Sequence, residues 1–96
     1  MPLFAIRRNI GPMGRDEMDA AVYRAIFCAV EYEDLKWVRS FWDRANGEVC
    51  CYYEARSPEQ IREHSLRSAI PCDSVTEVHE LVPQGYGEPV AVGSSS

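Results

Sequence analysis

The fold predicted from this sequence depends mainly on residues 35–55, LKWVRSFWDRANGEVCCYYEA. They read as two strands, Leu35 to Trp42 and Val49 to Ala55, because aromatic and β-branched residues suit a pleated, half-buried surface. Asn46-Gly47 lies between the strands, and both residues tolerate the positive φ that hairpin turns need. The stretch therefore predicts a central β-hairpin.

The predicted hairpin has two faces that differ in composition. A two-residue loop pairs Ser40 with Tyr53 and a four-residue loop pairs it with Cys51, and both choices give the same two faces. One face carries Trp37, Arg39, Phe41, Cys50, Tyr52 and Glu54. The other face carries Val38, Ser40, Trp42, Val49, Cys51, Tyr53 and Ala55.

A strand and a helix precede the hairpin. Leu3 to Ile10 reads as a first strand, with Phe4 and Ile6 on one face. Asp16 to about Val30 is predicted to be a helix, because acidic residues in its first turns complement the helix dipole. The apolar spacing predicts that its buried stripe consists of Met18, Val22, Ala25, Ile26 and Ala29.

A second helix and a last strand follow the hairpin. Ser57-Pro58 is a favourable helix start, since Ser caps a helix and Pro suits its first position, and the helix is predicted to end near Ser68. Ser74 to Val82 reads as the last strand. We therefore expect a domain over residues 1–82 and a C-terminal tail rich in Gly, Pro and Ser over residues 83–96.

The order βαββαβ predicts a ferredoxin-like α+β fold, in which a four-stranded antiparallel sheet carries both helices on one face. The other face of the sheet would be bare and would expose Trp37, Phe41 and Tyr52, an apolar patch that is unfavourable for a monomer. We therefore expect a homodimer that packs sheet against sheet, as in dimeric α+β-barrel assemblies.

Composition excludes several classes of protein. The 96 residues suffice for one domain, and no segment approaches the roughly 20 apolar residues of a membrane helix. The net charge of −5 disfavours nucleic acid as a partner. The first residues lack the pattern of a secretory signal, and the cysteines show no C-x-x-C spacing. We expect reduced thiols in a cytoplasmic protein.

Several short motifs together resemble a known family: WVRSF at 37–41, CYYEA at 51–55, IREHS at 61–65, Ile70-Pro71, and VTEV at 75–78. Across residues 3–82 the chain is similar to a bacterial domain family of unknown function. The best-described relative in that family is a small nickel-binding protein. The resemblance implies a ferredoxin-like fold, a dimer and the binding of nickel.

A metal site is the first functional hypothesis. Thiolate, imidazole and carboxylate groups suit a divalent metal such as nickel or zinc. Cys51 and His64 are predicted to lie on the helix side of the sheet and are the first ligands we consider, with Glu54 and His79 as further ligands. Glu54 lies on the opposite face, so it would join them only through a strand edge or a dimer partner. The alternative is structural: Cys51 as a small buried hydrophobe and His64 as a hydrogen-bonded, half-buried helix residue.

An enzyme is the second hypothesis, by analogy with monooxygenases built on dimeric α+β barrels. Ser65 and Ser68 make the inner face of the second helix thin, which predicts an apolar cavity beneath that helix. His64 and Tyr53 would line this pocket and hold a small apolar substrate. A structural dimer without a ligand is the third reading.

Overall fold

The computed structural model describes residues 1–86 and has the element order βαββαβ. The strands are β1 (Leu3–Asn9), β2 (Lys36–Asp43), β3 (Glu48–Glu54) and β4 (Ser74–Val78), and the helices are α1 (Arg15–Ala29) and α2 (Pro58–Arg67). The four strands form one antiparallel sheet in the order β2-β3-β1-β4. The ferredoxin-like fold predicted from the sequence is confirmed.

The central hairpin uses the four-residue loop. Ser40 pairs with Cys51, and the loop of residues 44–47 separates β2 from β3. Gly47 takes a φ of +64°, and a Cβ there would lie 2.7 Å from the carbonyl oxygen of Gly11. The Gly47 carbonyl also accepts hydrogen bonds from the backbone N–H groups of Ile10 and Gly11, at 2.9 and 3.1 Å. The turn is therefore tied to the segment that follows β1, and only glycine fits its last position.

A β-bulge changes one of the predicted faces. Trp37 pairs with Tyr53 whereas Arg39 pairs with Tyr52, so Val38 is an extra residue in β2. The prediction that Trp37 lies on the bare face with Arg39 is therefore wrong. The extra residue turns Trp37 to the helix side, where its Nε1 donates a hydrogen bond to Ser40 Oγ at 2.8 Å. The bare face consequently loses its predicted tryptophan.

The core lies between the sheet and α2. The prediction that Phe4 and Ile6 share one face of β1 is correct, because both are buried against α2. Ser57 Oγ accepts the N–H of Gln60 at 3.3 Å and caps α2 as predicted. The helix buries Ile61, His64 and Ser65, and the buried side chains of the whole core cluster are Phe4, Ile6, Val49, Cys51, Tyr53, Ala55 and Ile61.

Helix α1 packs less tightly than its sequence predicts. Its buried residues are Ala21 and Ala25, whereas Ile26, predicted to be buried, is 47% exposed. The alanines are too short to fill the distance between α1 and the sheet, and a cavity lies between them. The outer surface of α1 and the residue that follows it expose large apolar side chains: Tyr23, Phe27 and Val30.

The last strand is shorter than predicted. It ends at Val78, and exposed residues lead from there to a short 3₁₀ helix, Pro83–Tyr86. The division at residue 82 stays a prediction, and the rest of the predicted tail, residues 87–96, lies outside the described residues. Neither α1 nor α2, nor the short helix, is long and apolar enough to cross a membrane.

Candidate functional site

The cavity between α1 and the sheet has a volume of about 530 Å³. This volume is within the range of sites that bind small molecules in proteins. Apolar side chains from α1 form its roof, among them Met18 and Val22, and Trp37, Trp42 and Tyr53 from β2 and β3 form its floor. Polar residues also line this largely apolar space: Arg8, Arg15, Asp19, Arg24 and Ser40.

The cavity lies beneath α1, not beneath α2 as the sequence predicted. Ser65 and Ser68 do make the inner face of α2 thin, but both are buried, so the small side chains let α2 pack closely. Of the two predicted lining residues, Tyr53 lines the cavity and His64 does not. Burial is the main cause that raises the pKa of Tyr53 to about 12. The electrostatic interaction with Cys51 also raises this pKa, and the interaction with Arg8 lowers it. Its phenol is therefore protonated at neutral pH.

Arg8 is the functional candidate that the reading of the sequence missed. It is only 4% exposed. Its Nη1 donates to Ser65 Oγ and to the carbonyl oxygen of Pro71, both at 2.9 Å, and its Nε donates to Cys51 Sγ at 3.4 Å. The signal was present, because strict alternation after Phe4 and Ile6 places residue 8 on the same buried face of β1.

His64 connects the two helices. It is 1% exposed, and its Nε2 donates to the carbonyl oxygen of Ala25 in α1 at 2.8 Å. The rings of Tyr32 and Tyr53 each lie 5.8 Å from the imidazole, centroid to centroid. Burial lowers the pKa of His64, the hydrogen bond to Ala25 acts in the opposite direction, and the charge of Arg8 lowers it further. His64 is therefore hydrogen-bonded, as the structural alternative has it, but it is fully buried and not half-buried.

Cys51 lies on the helix side of the sheet, as predicted, and is buried. Its sulfur accepts the N–H of Arg8 Nε. A metal cation at this sulfur would lie next to the positive guanidinium, which is an unfavourable arrangement. Both first-choice ligands are thus already bonded within the chain, Cys51 to Arg8 and His64 to Ala25.

Glu54 and His79 lie apart from that pair. Glu54 is half-buried on the bare face of the sheet, opposite Lys36 and Leu3. His79 is exposed just beyond the end of β4. Across residues 1–86, no group of three or more His, Cys, Asp and Glu side chains lies close enough together to hold a metal ion. The four-residue ligand set of Cys51, His64, Glu54 and His79 therefore stays a prediction.

The bare face of the sheet still carries an aromatic pair. Phe41 is 61% exposed and stands edge-on to Tyr52, with the ring centroids 6.3 Å apart. Cys50 lies beside this pair, and its hydrogen bond with Tyr52 is the main cause that raises the pKa of that tyrosine. The pair is what remains of the predicted apolar patch once Trp37 is on the other side.

Comparisons with known proteins agree with this architecture. The model of the family described as "Nickel responsive protein SCO4226-like" matches residues 4–78. The crystal structure of SCO4226 from Streptomyces coelicolor A3(2) is similar, with a TM-score of 0.73 and 20% sequence identity over 83% of this chain and 99% of that chain. At that identity the structural likeness concerns the fold alone. A search of curated proteins found no significant match.

Proposed function

We propose a binding function for this chain, which belongs to the SCO4226-like family of nickel responsive proteins, as its motifs indicated. The binding site is the cavity beneath α1, and the ligand is a small, largely apolar molecule. The observation that carries this proposal is the cavity of about 530 Å³ between α1 and the sheet. The cavity is partly open to solvent, since Trp37 and Ile26 in its lining are 43% and 47% exposed. A concave, largely apolar space of this size with aromatic walls is typical of a site for a small molecule.

The two tryptophans of the chain allow a direct test. Trp37 and Trp42 are the only tryptophans, and both line the cavity. We would titrate the protein with phenylbutanol and, separately, with phenylbutyrate, and follow tryptophan fluorescence. A saturable change with either molecule supports the proposal. The absence of a change with both molecules, up to their solubility limits, contradicts it.

Nickel binding is a second candidate, favoured by the description of the family. Since the described residues of one chain hold no metal-binding group, we place a nickel or zinc site between two copies of the chain. Glu54 and His79 are the ligands that each copy offers. Leu3 pairs with both Glu54 and Val78, so the carboxylate and the imidazole lie at the same end of the sheet. Cys51 and His64 keep their bonds to Arg8 and Ala25.

The stoichiometry of nickel tests this second candidate. Mass spectrometry of the untagged protein and a titration with Ni²⁺ should give one nickel per two chains. His79→Ala should remove the metal, while Cys51→Ser, the matched control inside the fold, should retain it. One nickel per chain, lost in Cys51→Ser, would instead place the site within a single chain.

A homodimer through the bare sheet face completes the proposal. Burying Phe41 and Tyr52 against a second copy would remove the exposed aromatic pair from water. Light scattering should report the mass of two chains for the protein and for Phe27→Glu on the outer surface of α1, and of one chain for Phe41→Glu. A single-chain mass for the unmodified protein contradicts the dimer.

We place the protein in the cytoplasm, where its four free cysteines would stay reduced.

A further inference from the structure

We infer that the cavity selects small apolar molecules that carry one negative charge, with Arg8 as the group that binds the charge. The inference rests on the proposed function and adds the chemical class of the ligand. It starts from the combination of a buried cation and an adjoining space: Arg8 is 4% exposed, and it lines the cavity. A guanidinium that is so deeply buried needs partners for its hydrogen-bond donors and for its charge.

The protein satisfies the hydrogen bonds of Arg8 only in part. A guanidinium has five N–H donors. Three are used, by Cys51 Sγ, Ser65 Oγ and the carbonyl oxygen of Pro71. The remaining nitrogen, Nη2, has no hydrogen-bond partner among residues 1–86. It is nevertheless not fully buried, so part of its surface stays accessible. Because Arg8 lines the cavity, we infer that an acceptor from a ligand reaches Nη2 there.

The charge of Arg8 also has no ion-pair partner among the described residues. None of its three partners is a carboxylate, and the ion pairs found in residues 1–86 belong to other arginines: Arg7–Glu48, Arg15–Asp19, Arg56–Asp34 and Arg67–Glu31. In the described part of the chain, Asp19 is the one carboxylate that lines the cavity, and it forms an ion pair with Arg15. An anionic ligand would supply the missing negative charge in a place where water screens it poorly.

The shape of the site indicates which anion would bind. Trp37, Trp42 and Tyr53 provide aromatic surface for an apolar body, while Arg8 is placed on β1 at one side of that surface. Arginine forms short, charge-assisted hydrogen bonds to carboxylates, stronger than those between neutral groups. We therefore expect an aromatic or aliphatic monocarboxylate, and not a metal cation, at this site.

A matched pair of ligands tests the inference on the unmodified protein. Phenylbutyrate and phenylbutanol share the same apolar body and differ in the charge of the head group. From the strength of charge-assisted hydrogen bonds, we expect phenylbutyrate to bind at least about tenfold more tightly, as measured by tryptophan fluorescence. Equal affinities for the two molecules would overturn the inference and leave the proposed cavity function standing. Binding of neither molecule would overturn both.

Two substitutions then assign the charge preference to its residue. Arg8→Gln should weaken phenylbutyrate at least about tenfold and change phenylbutanol by less than about threefold. Arg7→Gln is the control, because Arg7 is the neighbouring arginine on the exposed face of β1, outside the cavity. A carboxylate preference that persists in a folded Arg8→Gln variant, or disappears in Arg7→Gln, refutes the role of Arg8.

Discussion

We expect the stability of this protein to fall below about pH 6.5, the ordinary pKa of histidine, and we attribute the fall to His64. The side chain is 1% exposed and donates to the carbonyl oxygen of Ala25. Its pKa in the folded protein is lowered, first by burial and also by the charge of Arg8, although the hydrogen bond to Ala25 opposes these effects. The folded protein therefore resists protonation of this imidazole.

The sign of the effect follows from the protons bound by each state. Unfolded chains take up a proton at His64 near pH 6.5, while the folded protein does so only at a lower pH. Between these two pKa values the unfolded state holds more protons, so the free energy of unfolding decreases as the pH falls. It is at its full value above about pH 6.5, and one proton limits the slope to about 1.4 kcal/mol per pH unit.

Urea unfolding, followed by tryptophan fluorescence between about pH 7.5 and 5.5, measures this slope while most carboxylates stay ionised. The chain has two histidines, and His79→Gln is the control, because this residue is exposed and lies beyond β4. The slope that we attribute to His64 should persist in this variant. His64→Gln should lower stability at every pH and remove most of the slope. If the slope is the same in the unmodified protein and in His64→Gln, or if stability rises as the pH falls, our account of His64 is refuted.

Three further predictions concern the turn, the cap and the cavity. Gly47→Ala should destabilise the fold by about 1–3 kcal/mol in urea unfolding, because its φ is +64° and a Cβ would meet the Gly11 backbone; a neutral result would show that the turn can relax. Ser57→Ala should cost about 1 kcal/mol through the lost N-cap of α2, and no loss would mean that the cap contributes little. Ala21→Leu should fill part of the cavity and weaken the binding of phenylbutyrate at least about tenfold, without lowering the urea midpoint of unfolding. An unchanged affinity would place the ligand elsewhere.

The order of elements could be predicted because its signals are local. The turn at Asn46-Gly47, the Ser57-Pro58 helix start and the alternation of Phe4 and Ile6 each act over a few residues, and each is present in the structure. With these signals in place, the βαββαβ order has few compact topologies open to it. The same locality explains the error at Ile26, because helical periodicity identifies an apolar stripe but not how closely that stripe approaches the sheet.

The candidate site depends on features that local signals do not carry. The bulge at Val38 moves Trp37 across the sheet, and a change of register by one residue cannot be read from alternation alone. The depth of the cavity beneath α1 depends on how α2 and Arg8 pack against the neighbouring part of the sheet. His64 likewise becomes a link between helices only when Ala25 of α1 lies within hydrogen-bond distance.

The sequence by itself therefore determined the ferredoxin-like fold, the helix side of the sheet for Cys51 and His64, and the family. The tertiary structure decided that these two side chains are bonded to Arg8 and Ala25, and that the open space lies beneath α1. The physical reason is that backbone periodicity and turn chemistry act between near neighbours in the chain. A cavity and the partners of a buried charge depend on distances between layers, which are set only when all the elements pack together.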